Sequence, residues 1–583
     1  MAMSSRLEHI RVVSQPAAAG TPPQRQPQLR ATPKGRQVTD AARARVAQCC
    51  NGLEPRPDLL IEHLHRLQDA EGGLRQGHLA ALAERLRLSQ VEVFEVATFY
   101  HHFRVAADEE TLPATVVRVC HSLSCQMAGS AALQQELQQA LQGQPGVVVE
   151  SVPCIGQCHH APAACVGQHQ LPEATVELVQ DALALEQTAP RQLPATGAPA
   201  QPADYAQLQR LLQGTLTADA VLAELKASGL RGLGGAGFPA WRKWETVRAQ
   251  PGPRHMVVNI DEGEVGTFKD WSVLSTQPRQ VLEGMLMAAL VVGVDHIWLY
   301  LRDEYHDCRV LLEAELQALQ GHMSAWAQQF PGTRFPRVEL RRGAGAYICG
   351  EESALIESVE GKRGLPRLKP PIVALKGVFG RPTLAHNLET LWWLPEITAR
   401  GGAWLAAQGR HGRSGLRRFS VSGRVQKPGV YLAPAGITLN ELLQEYAGGL
   451  PHGHTLYGYL PGGASGGILP AALADVPLDF DTLAEYGAFV GSMAVVVLSQ
   501  HDRARDAALN LMQFFEHESC GQCTPCRTGT TQAAALMQAP VWDEATLADL
   551  SHVMREASIC GLGQAAPNPF DTVLRFFPQE VRP

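Results

Sequence analysis

The sequence lacks the features that mark membrane, nucleic-acid-binding and disulfide-rich proteins. No stretch of its 583 residues reaches the roughly 18 continuous apolar residues of a membrane helix, and the AVVVL core of the strongest candidate, 487–498, is predicted to be a buried strand. The net charge of −7 argues against nucleic acid as the main partner, because phosphate binding needs a basic field. Thirteen cysteines are too few for a disulfide scaffold of this length. The 45% apolar and 18% charged residues predict instead a globular chain of about four domains.

Residues 1–36 also lack the apolar core of a secretory signal. They carry six basic residues against one acid and are rich in Pro, Ala and Gln. This composition favours a disordered basic tail, with a transit peptide as the alternative. The expected location is the cytoplasm.

Changes in composition and apolar periodicity along the chain predict the domain organisation. Leucine spacing indicates a helical domain over 37–112. Residues 113–186 alternate strand, helix and strand, with a cysteine loop after each strand, and the Pro/Ala-rich segment 187–204 is expected to be a linker. Strands and helices alternate over 205–415, which predicts an α/β layer. Short strands with Gly/Pro turns follow over 416–500, and helices return over 501–583.

The C-terminal cysteines have the spacing of an iron–sulfur centre. Cys520, Cys523 and Cys526 are separated by two residues each, and Cys560 follows. Three thiolates so spaced can hold one side of a metal centre, and the fourth completes it. A zinc site with four cysteines usually has two separated pairs, so the triple run favours a [4Fe–4S] cluster over zinc.

A second set of four cysteines lies in the front half of the chain. Cys120 and Cys125 follow one predicted strand, and Cys154 and Cys158 follow the next. Four thiolates on two such loops suit a [2Fe–2S] cluster, with zinc as the alternative. The remaining cysteines have no partner spacing and are expected to be unreactive packing residues: Cys49, Cys50, Cys165, Cys308 and Cys349.

Three glycine-rich or acidic loops in 205–415 complete the pattern. Gly232 to Gly237 fits G-x-G-x-x-G, but a helix is predicted just before it, so the dinucleotide fingerprint fails its structural context. Residues 261–264 hold three acids, and 343–352 combine glycines, Tyr347 and two acids. Such loops together with two cysteine sets favour a redox protein that binds a flavin or a nucleotide.

At these motifs the chain resembles a known family. GLRGLGGAGFP (229–239), DEGEVGTFKD (261–270), RRGAGAYICGEESALIESVEGKRGLPRLKPP (341–371) and ESCGQCTPCRTG (518–529) resemble the flavin- and NAD-binding subunit of respiratory complex I and its soluble relatives. Residues 40–180 resemble the small [2Fe–2S] subunit of the same systems, fused in front. Segments 459–471, 476–483 and 558–569 are most similar to the β subunit of NAD-dependent, metal-containing formate dehydrogenases, and next to the diaphorase subunit of NAD-reducing hydrogenases.

The resemblance implies a multidomain α/β fold. It has a helical front, a thioredoxin-like ferredoxin domain, a Rossmann-like FMN-binding domain, a ubiquitin-like (SLBB-type) α+β module and a C-terminal helical bundle. The resemblance also implies site residues. The FMN positions are Gly232, Gly234, Lys243, Asn259, Asp261, Glu262, Tyr347, Gly350 and Asn387. The NAD positions are Phe238, Glu264, Glu352 and Lys369. The two cysteine sets match the cluster ligands.

The sequence departs from the family pattern at several of these loops. Leu233 stands where an Arg is common, and Trp241 and Val265 replace smaller or more rigid residues. His386 replaces the first Asn of a pair, and Ile372 replaces a Phe that packs on adenine in relatives. The resemblance thus predicts weaker NAD stacking and puts one FMN contact in question.

The function implied is a redox relay. A separate molybdopterin subunit, carrying Mo or W and further clusters, oxidises formate; electrons reach FMN through iron–sulfur clusters and leave as a hydride to NAD+, reversibly. No side chain is expected to act as acid or base. The alternatives are the diaphorase subunit of a hydrogenase or NADH dehydrogenase and, in a different class, a zinc-stabilised scaffold without turnover.

Overall fold

The structure is a computed structural model that describes residues 35–193 and 205–582. The predicted tail therefore lies almost entirely outside the described residues, as does most of the predicted linker. Residues 187–193 run against the following domain, where the Arg191 backbone N–H donates to Asp307 Oδ1 at 2.7 Å. Within the described ranges, every helix is too short or too polar to span a bilayer.

The chain begins with a helical unit, which we call the front unit. It comprises α1 (Asp40–Cys49), α2 (Leu60–Glu71), β1 (Leu74–Arg75), α3 (Gln76–Leu86), α4 (Gln90–Phe99) and β2 (Val105–Ala106). Helix α4 starts at a capping box, in which Ser89 and Glu92 satisfy each other's backbone N–H groups. The leucines of α2, whose spacing helps to predict this helical unit, are buried, including Leu64 and Leu67.

A four-stranded sheet follows, and it brings the two front cysteine loops together. The elements are β3 (Thr115–Cys120), α5 (Leu123–Met127), α6 (Ser130–Ala140), β4 (Val147–Val152), β5 (Ala164–Val166), β6 (His169–Leu171) and α7 (Val176–Ala184). The strand order is β4-β3-β5-β6, and β3 is parallel to β4. Because parallel strands end at the same edge, the loops after Cys120 and Val152 meet there.

The central unit is a parallel α/β layer. Its elements are α8 (Ala206–Leu212), α9 (Ala218–Ala227), α10 (Ala240–Arg248), β7 (Arg254–Ile260), α11 (Lys269–Thr276), α12 (Pro278–Val292), β8 (Val294–Leu301), α13 (His306–Gln329), β9 (Arg337–Arg342), α14 (Glu352–Val359), β10 (Thr383–Asn387), α15 (Leu388–Arg400) and α16 (Gly402–Ala406). All four strands are parallel, in the order β10-β7-β8-β9. Ligands of such sheets bind outside the carboxyl ends of the strands. The loops after Ile260, Leu301 and Asn387 all lie at that edge.

A small mixed sheet and a helical end complete the chain. The sheet holds β11 (Leu416–Gly423), β12 (Gly429–Pro434), α17 (Leu439–Glu445), β13 (Leu456–Leu460), β14 (Leu469–Pro470) and β15 (Ala494–Ser499), in the order β12-β11-β15-β13-β14. The predicted buried strand of 487–498 is β15, all of whose residues are buried. The helices are α18 (Ala504–Glu518), α19 (Thr524–Met537), α20 (Glu544–Ala557), α21 (Gly561–Ala565) and α22 (Asn568–Phe576).

Candidate functional site

A cavity of about 720 Å³ opens at the carboxyl edge of the central sheet. Its size is that of a site for a nucleotide-sized ligand. The small sheet and the C-terminal helices close its far side through Ser465, Ser492 and Asn568. Eight of the predicted FMN and NAD residues line it: Gly234, Asn259, Asp261, Glu262, Glu264, Tyr347, Gly350 and Asn387. The sequence motifs thus identify most of the wall of this cavity, which we call the flavin cavity.

A second cavity of about 770 Å³ lies elsewhere, between the front unit, the thioredoxin-like sheet and the central unit. Charged side chains of both signs line it, including Arg118, Glu150 and Asp303. The predicted flavin residues gather at the first cavity, so size alone does not identify the site.

Two glycines of the flavin cavity lie where a side chain would press on a neighbouring loop. A Cβ atom at Gly234 would lie 3.1 Å from the Cβ of Asn387, and one at Gly350 would lie 3.3 Å from the Asp261 carbonyl oxygen. The turn at Gly350 is held by Asn259, whose Nδ2 donates to the Gly350 carbonyl at 2.8 Å. Glycine at these positions therefore allows the cavity loops to pack closely on one another.

The acids of the 261–264 loop have different roles. Asp261 Oδ2 is shielded from water and has no hydrogen-bond partner among the described residues, and burial raises the pKa of this carboxyl well above its usual range. Glu262 is already satisfied, since it accepts from the N–H groups of Asp270 (2.8 Å) and Trp271 (3.1 Å) at the start of α11 and from the Tyr305 hydroxyl (2.7 Å). A polar ligand in the cavity would satisfy the orphan oxygen of Asp261, so the residues present fit a hydroxyl- or N–H-bearing group such as FMN.

Glu264 forms the part of the wall that joins the central unit to the small sheet. It accepts hydrogen bonds from the Tyr347 hydroxyl and from the Ser465 N–H, the latter at 2.7 Å. Burial raises the pKa of Glu264. The 261–264 loop, which carries three predicted FMN and NAD residues, is thus fixed to the opposite wall.

Lys269 is a cavity residue that was not predicted from the sequence. Its side chain is 1% exposed, and its Nζ lies 2.8 Å from Asp270 Oδ1 and 3.1 Å from Glu389 Oε2. Nearby carboxylates raise the pKa of Lys269 despite its burial. Lys269 was visible only as part of the DEGEVGTFKD motif, because a charged residue in a sequence normally indicates a surface position.

The other predicted residues lie beside the cavity. Lys243 Nζ is 3.4 Å from Glu352 Oε2, and Lys369 Nζ is 3.3 Å from Glu352 Oε1 and 2.9 Å from Glu351 Oε1. Gly232 and Phe238 share the preceding loop, where the Gly232 N–H donates to the Phe238 carbonyl at 2.8 Å. Phe238 is 46% exposed to solvent.

The positions that depart from the family pattern differ in their surroundings. His386 is buried and accepts from Trp244 Nε1 at 2.8 Å, and burial lowers its pKa to about 3, so it is a neutral packing residue. Trp241 lies under Lys226, whose Nζ is 4.6 Å from its ring centre. Leu233 and Val265 are fully buried, whereas Ile372 is 45% exposed.

The four C-terminal cysteines meet at one point. Cys520, Cys523, Cys526 and Cys560 surround a small space that is otherwise lined mainly by apolar side chains, among them Ile348 and Leu562. Cys523 caps the start of α19 and Cys560 the start of α21, so two helix ends bring the ligands together. Burial raises the pKa of Cys526 to about 11 and that of Cys560 to about 12. Four thiols in an apolar shell suit an iron–sulfur cluster.

The front cysteines also form one group. Cys120, Cys125, Cys154 and Cys158 are all buried, and the Sγ atoms of Cys154 and Cys158 are 3.3 Å apart. Cys120 contacts both Cys125 and Cys154, and these thiol contacts raise its pKa. His159, which follows the last of these cysteines, stacks on Phe268 with ring centres 4.4 Å apart. The donor set is four sulfurs, as predicted for a [2Fe–2S] centre.

The parallel sheet, the flavin cavity and the two groups of four thiols define an iron–sulfur flavoprotein. Sequence profiles of three families match the chain: the Nuo51 FMN-binding domain over residues 225–396, the NADH-ubiquinone oxidoreductase-F iron–sulfur binding region over 506–583, and the thioredoxin-like [2Fe–2S] ferredoxin over 46–186.

Similar proteins agree with these profiles. The chain is 40% identical to the F subunit of NADH-quinone oxidoreductase from Rickettsia typhi, over 62% of this chain and 88% of that protein. It is 40% identical to the mitochondrial NADH dehydrogenase (ubiquinone) flavoprotein 1 of Dictyostelium discoideum, over 62% and 78%. A chain of a crystal structure of an NAD+-reducing [NiFe]-hydrogenase superposes with a TM-score of 0.78, at 32% identity, over 91% of this chain and 94% of that chain.

The chain belongs to the family of the NADH-binding FMN subunit of complex I, the F subunit of NADH-quinone oxidoreductase. It combines an FMN-binding domain, a [4Fe–4S] region and a [2Fe–2S] thioredoxin-like domain in one polypeptide, and its family binds NADH. The predicted multidomain α/β fold class and the predicted cofactors are thereby confirmed.

Proposed function

We propose that this chain is the NAD-linked diaphorase subunit of a formate dehydrogenase, coupling NAD+/NADH to a partner subunit that oxidises formate at a molybdenum or tungsten centre. The observation that carries the diaphorase part is the flavin cavity, lined by eight predicted residues and flanked by two four-thiol sites. When bound, FMN exchanges a hydride with NAD and single electrons with iron–sulfur centres.

The chain's own residues would bind and orient these groups. Asp261 would accept a hydrogen bond through its orphan oxygen, while Asn259 and the glycines hold the backbone open. The buried Lys269 would balance the acids beneath the ligand. No side chain is required as a proton donor or acceptor in this scheme.

We assign the nicotinamide nucleotide to the outer part of the same cavity. Phe238 offers an exposed ring, and the Lys243–Glu352–Lys369 group offers charges of both signs beside it. Glu264 would tune nucleotide affinity from the cavity wall. With Ile372 in place of an aromatic ring, the adenine would pack on aliphatic surface only.

The formate assignment draws support from three segments that resemble formate dehydrogenase β subunits. Two of them, 459–471 and 558–569, line the flavin cavity and are joined by a hydrogen bond from Asn568 Nδ2 to the Ser465 carbonyl at 2.7 Å. The third, 476–483, places Phe480 against Gly237 of the glycine loop. All three segments thus lie at or next to the flavin cavity.

A second candidate is the diaphorase subunit of an NAD-reducing hydrogenase. It is favoured by the superposition that spans 91% of this chain. Both candidates share the same chemistry in this subunit and differ in the partner. The partner's metal therefore decides between them.

The deciding experiment is purification of the native complex. We expect formate-dependent NAD+ reduction and molybdenum or tungsten in the preparation. Hydrogen-dependent NAD+ reduction with nickel would overturn the formate assignment and favour the second candidate. A colourless chain with stoichiometric zinc, in place of about six iron atoms and FMN, would sink the diaphorase function itself and favour a zinc-stabilised scaffold.

A further inference from the structure

Arg302 connects the [2Fe–2S] ligand loop to the flavin cavity. It follows directly after β8 at the carboxyl edge of the central sheet, and its side chain is 4% exposed. Its Nη2 donates to the carbonyl of Cys154 at 2.6 Å, and its Nη1 donates to the carbonyl of Glu262. One guanidinium thus holds a residue of each cofactor site.

The surroundings of Arg302 clamp the same two loops. The Tyr305 ring lies 5.0 Å from the guanidinium, and its hydroxyl donates to Glu262 Oε2 at 2.7 Å. On the cluster side, Gly156 fits tightly against this ring, since a Cβ atom there would lie 2.4 Å from Tyr305 Cε1. The position of the Cys154 loop is therefore set by the central unit.

Glu304 is the counter-charge of this arrangement. Arg302 Nε donates to Glu304 Oε2 at 3.1 Å. The Glu304 side chain is 27% exposed, whereas that of Arg302 is 4% exposed. Water screens Glu304 more effectively than it screens the guanidinium. The enclosed guanidinium donates directly to the Cys154 carbonyl, so its positive charge lies next to the cluster loop.

We propose that Arg302 is a positioning residue that fixes the Cys154 loop against the flavin cavity and raises the reduction potential of the [2Fe–2S] centre. A guanidinium stays protonated at every working pH, so its charge is permanent. Reduction adds a negative charge to the cluster, and a nearby buried cation stabilises that charge. The inference concerns the cofactor sites alone and holds whichever partner the chain has.

The test is a redox titration of the intact, cluster-loaded chain. The electron paramagnetic resonance signal of the [2Fe–2S] centre is the readout at each potential. Arg302→Gln should make reduction less favourable by about tenfold in the one-electron equilibrium constant, or about 59 mV. Arg302→Lys keeps the charge and should restore most of the potential. Glu304→Gln removes the counter-charge while keeping an acceptor for Arg302, and should shift the potential in the opposite direction.

Two results would overturn the proposal. One is an unchanged potential in Arg302→Gln with full iron content. The other is a native reduction potential in Glu304→Gln. This result would show, even if Arg302→Gln fails to hold the cluster, that charge at this position does not act on the centre. Diaphorase activity with ferricyanide and the formate reaction are separate measurements, so failure of the functional assignment is distinguishable from failure of this one.

Discussion

Lys269 and Glu389 form an ion pair almost fully withdrawn from solvent, with Nζ 3.1 Å from Oε2 and 1% of each side chain exposed. Asp270 shares the ammonium at 2.8 Å, and Arg418 Nη1 lies 3.4 Å from the other oxygen of Glu389. The network lies at the base of the flavin cavity, which Lys269 lines. Such a network tolerates the loss of a member poorly, because the remaining buried charges lose their compensation.

Lys269→Met is therefore expected to destabilise the chain by about 3–5 kcal/mol and to lower the FMN content of the purified protein. Denaturant unfolding and the flavin absorbance per chain measure the two effects. Lys226→Met, on the exposed face of α9, is the matched control and should leave both near native values. Equal stability and flavin content in the two variants would contradict the role given to Lys269.

Glu262 should make stability pH-dependent. Burial raises its folded pKa to about 7, whereas an unfolded glutamate ionises near 4.3. Between about pH 4.3 and pH 7 the unfolded chain has released the Glu262 proton, whereas the folded chain retains it. The free energy of unfolding therefore falls as pH rises, and it stops falling above about pH 7. Between pH 5.5 and 7.5 the wild type should lose about 2 kcal/mol relative to Glu262→Gln. Unfolding midpoints of the wild type and Glu262→Gln across this pH range test the prediction. Parallel pH profiles of the two proteins would refute it.

The cysteine sets and the alternation of elements were predictable from sequence, because ligand spacing and apolar periodicity are local signals. The strand–helix–strand alternation predicted for 113–186 and the helix predicted before the glycine loop (Ala218–Ala227) both appear. Lys269 and Arg302 were not identified as site residues, since nothing local distinguishes a buried charge from a surface one. Their roles arise from packing between segments distant in sequence.

At two other positions, the family motif does not reveal which contacts the side chain makes. Glu262 matches a family ligand position, yet its carboxylate is occupied by the N–H groups at the start of α11. His386 interrupts an Asn pair expected at the flavin, yet it pairs with Trp244. A motif locates the wall of a site, while tertiary contacts decide which atoms face the ligand.

Gly237→Ala should impair flavin binding. Gly237 has φ +62°, and a Cβ atom there would lie 2.6 Å from the Phe480 ring. The Arg231 guanidinium stacks over the same ring, 4.5 Å from its centre. The left-handed backbone alone adds about 1–2 kcal/mol of strain for alanine. We expect a lower unfolding midpoint and partial loss of FMN. Gly321→Ala, where the added Cβ meets nothing within 4 Å in helix α13, should be neutral or slightly stabilising; similar losses in both would contradict a specific effect of the loop.

His386→Leu should affect stability without affecting the cofactor directly. The change leaves the buried Trp244 N–H without its acceptor, which costs about 1–3 kcal/mol. The imidazole is already neutral at working pH, with a pKa lowered to about 3, so no charge is lost. Unfolding midpoints should fall while the affinity for added FMN stays near native. A large drop in FMN affinity at native stability would instead place His386 among the flavin contacts.

Cys560→Ala should remove the [4Fe–4S] centre and spare the other one. Cys560 supplies the fourth thiol of a site whose other three come from the segment that leads into α19, so its loss opens the cluster. Iron should fall from about six to about two atoms per chain, while the [2Fe–2S] resonance persists. Cys49→Ala is the control, because this half-exposed cysteine lies on helix α1 in the front unit and should keep all iron. Retention of about six iron atoms in Cys560→Ala would exclude Cys560 as an obligatory ligand, and loss of both resonances would show that the two centres assemble together.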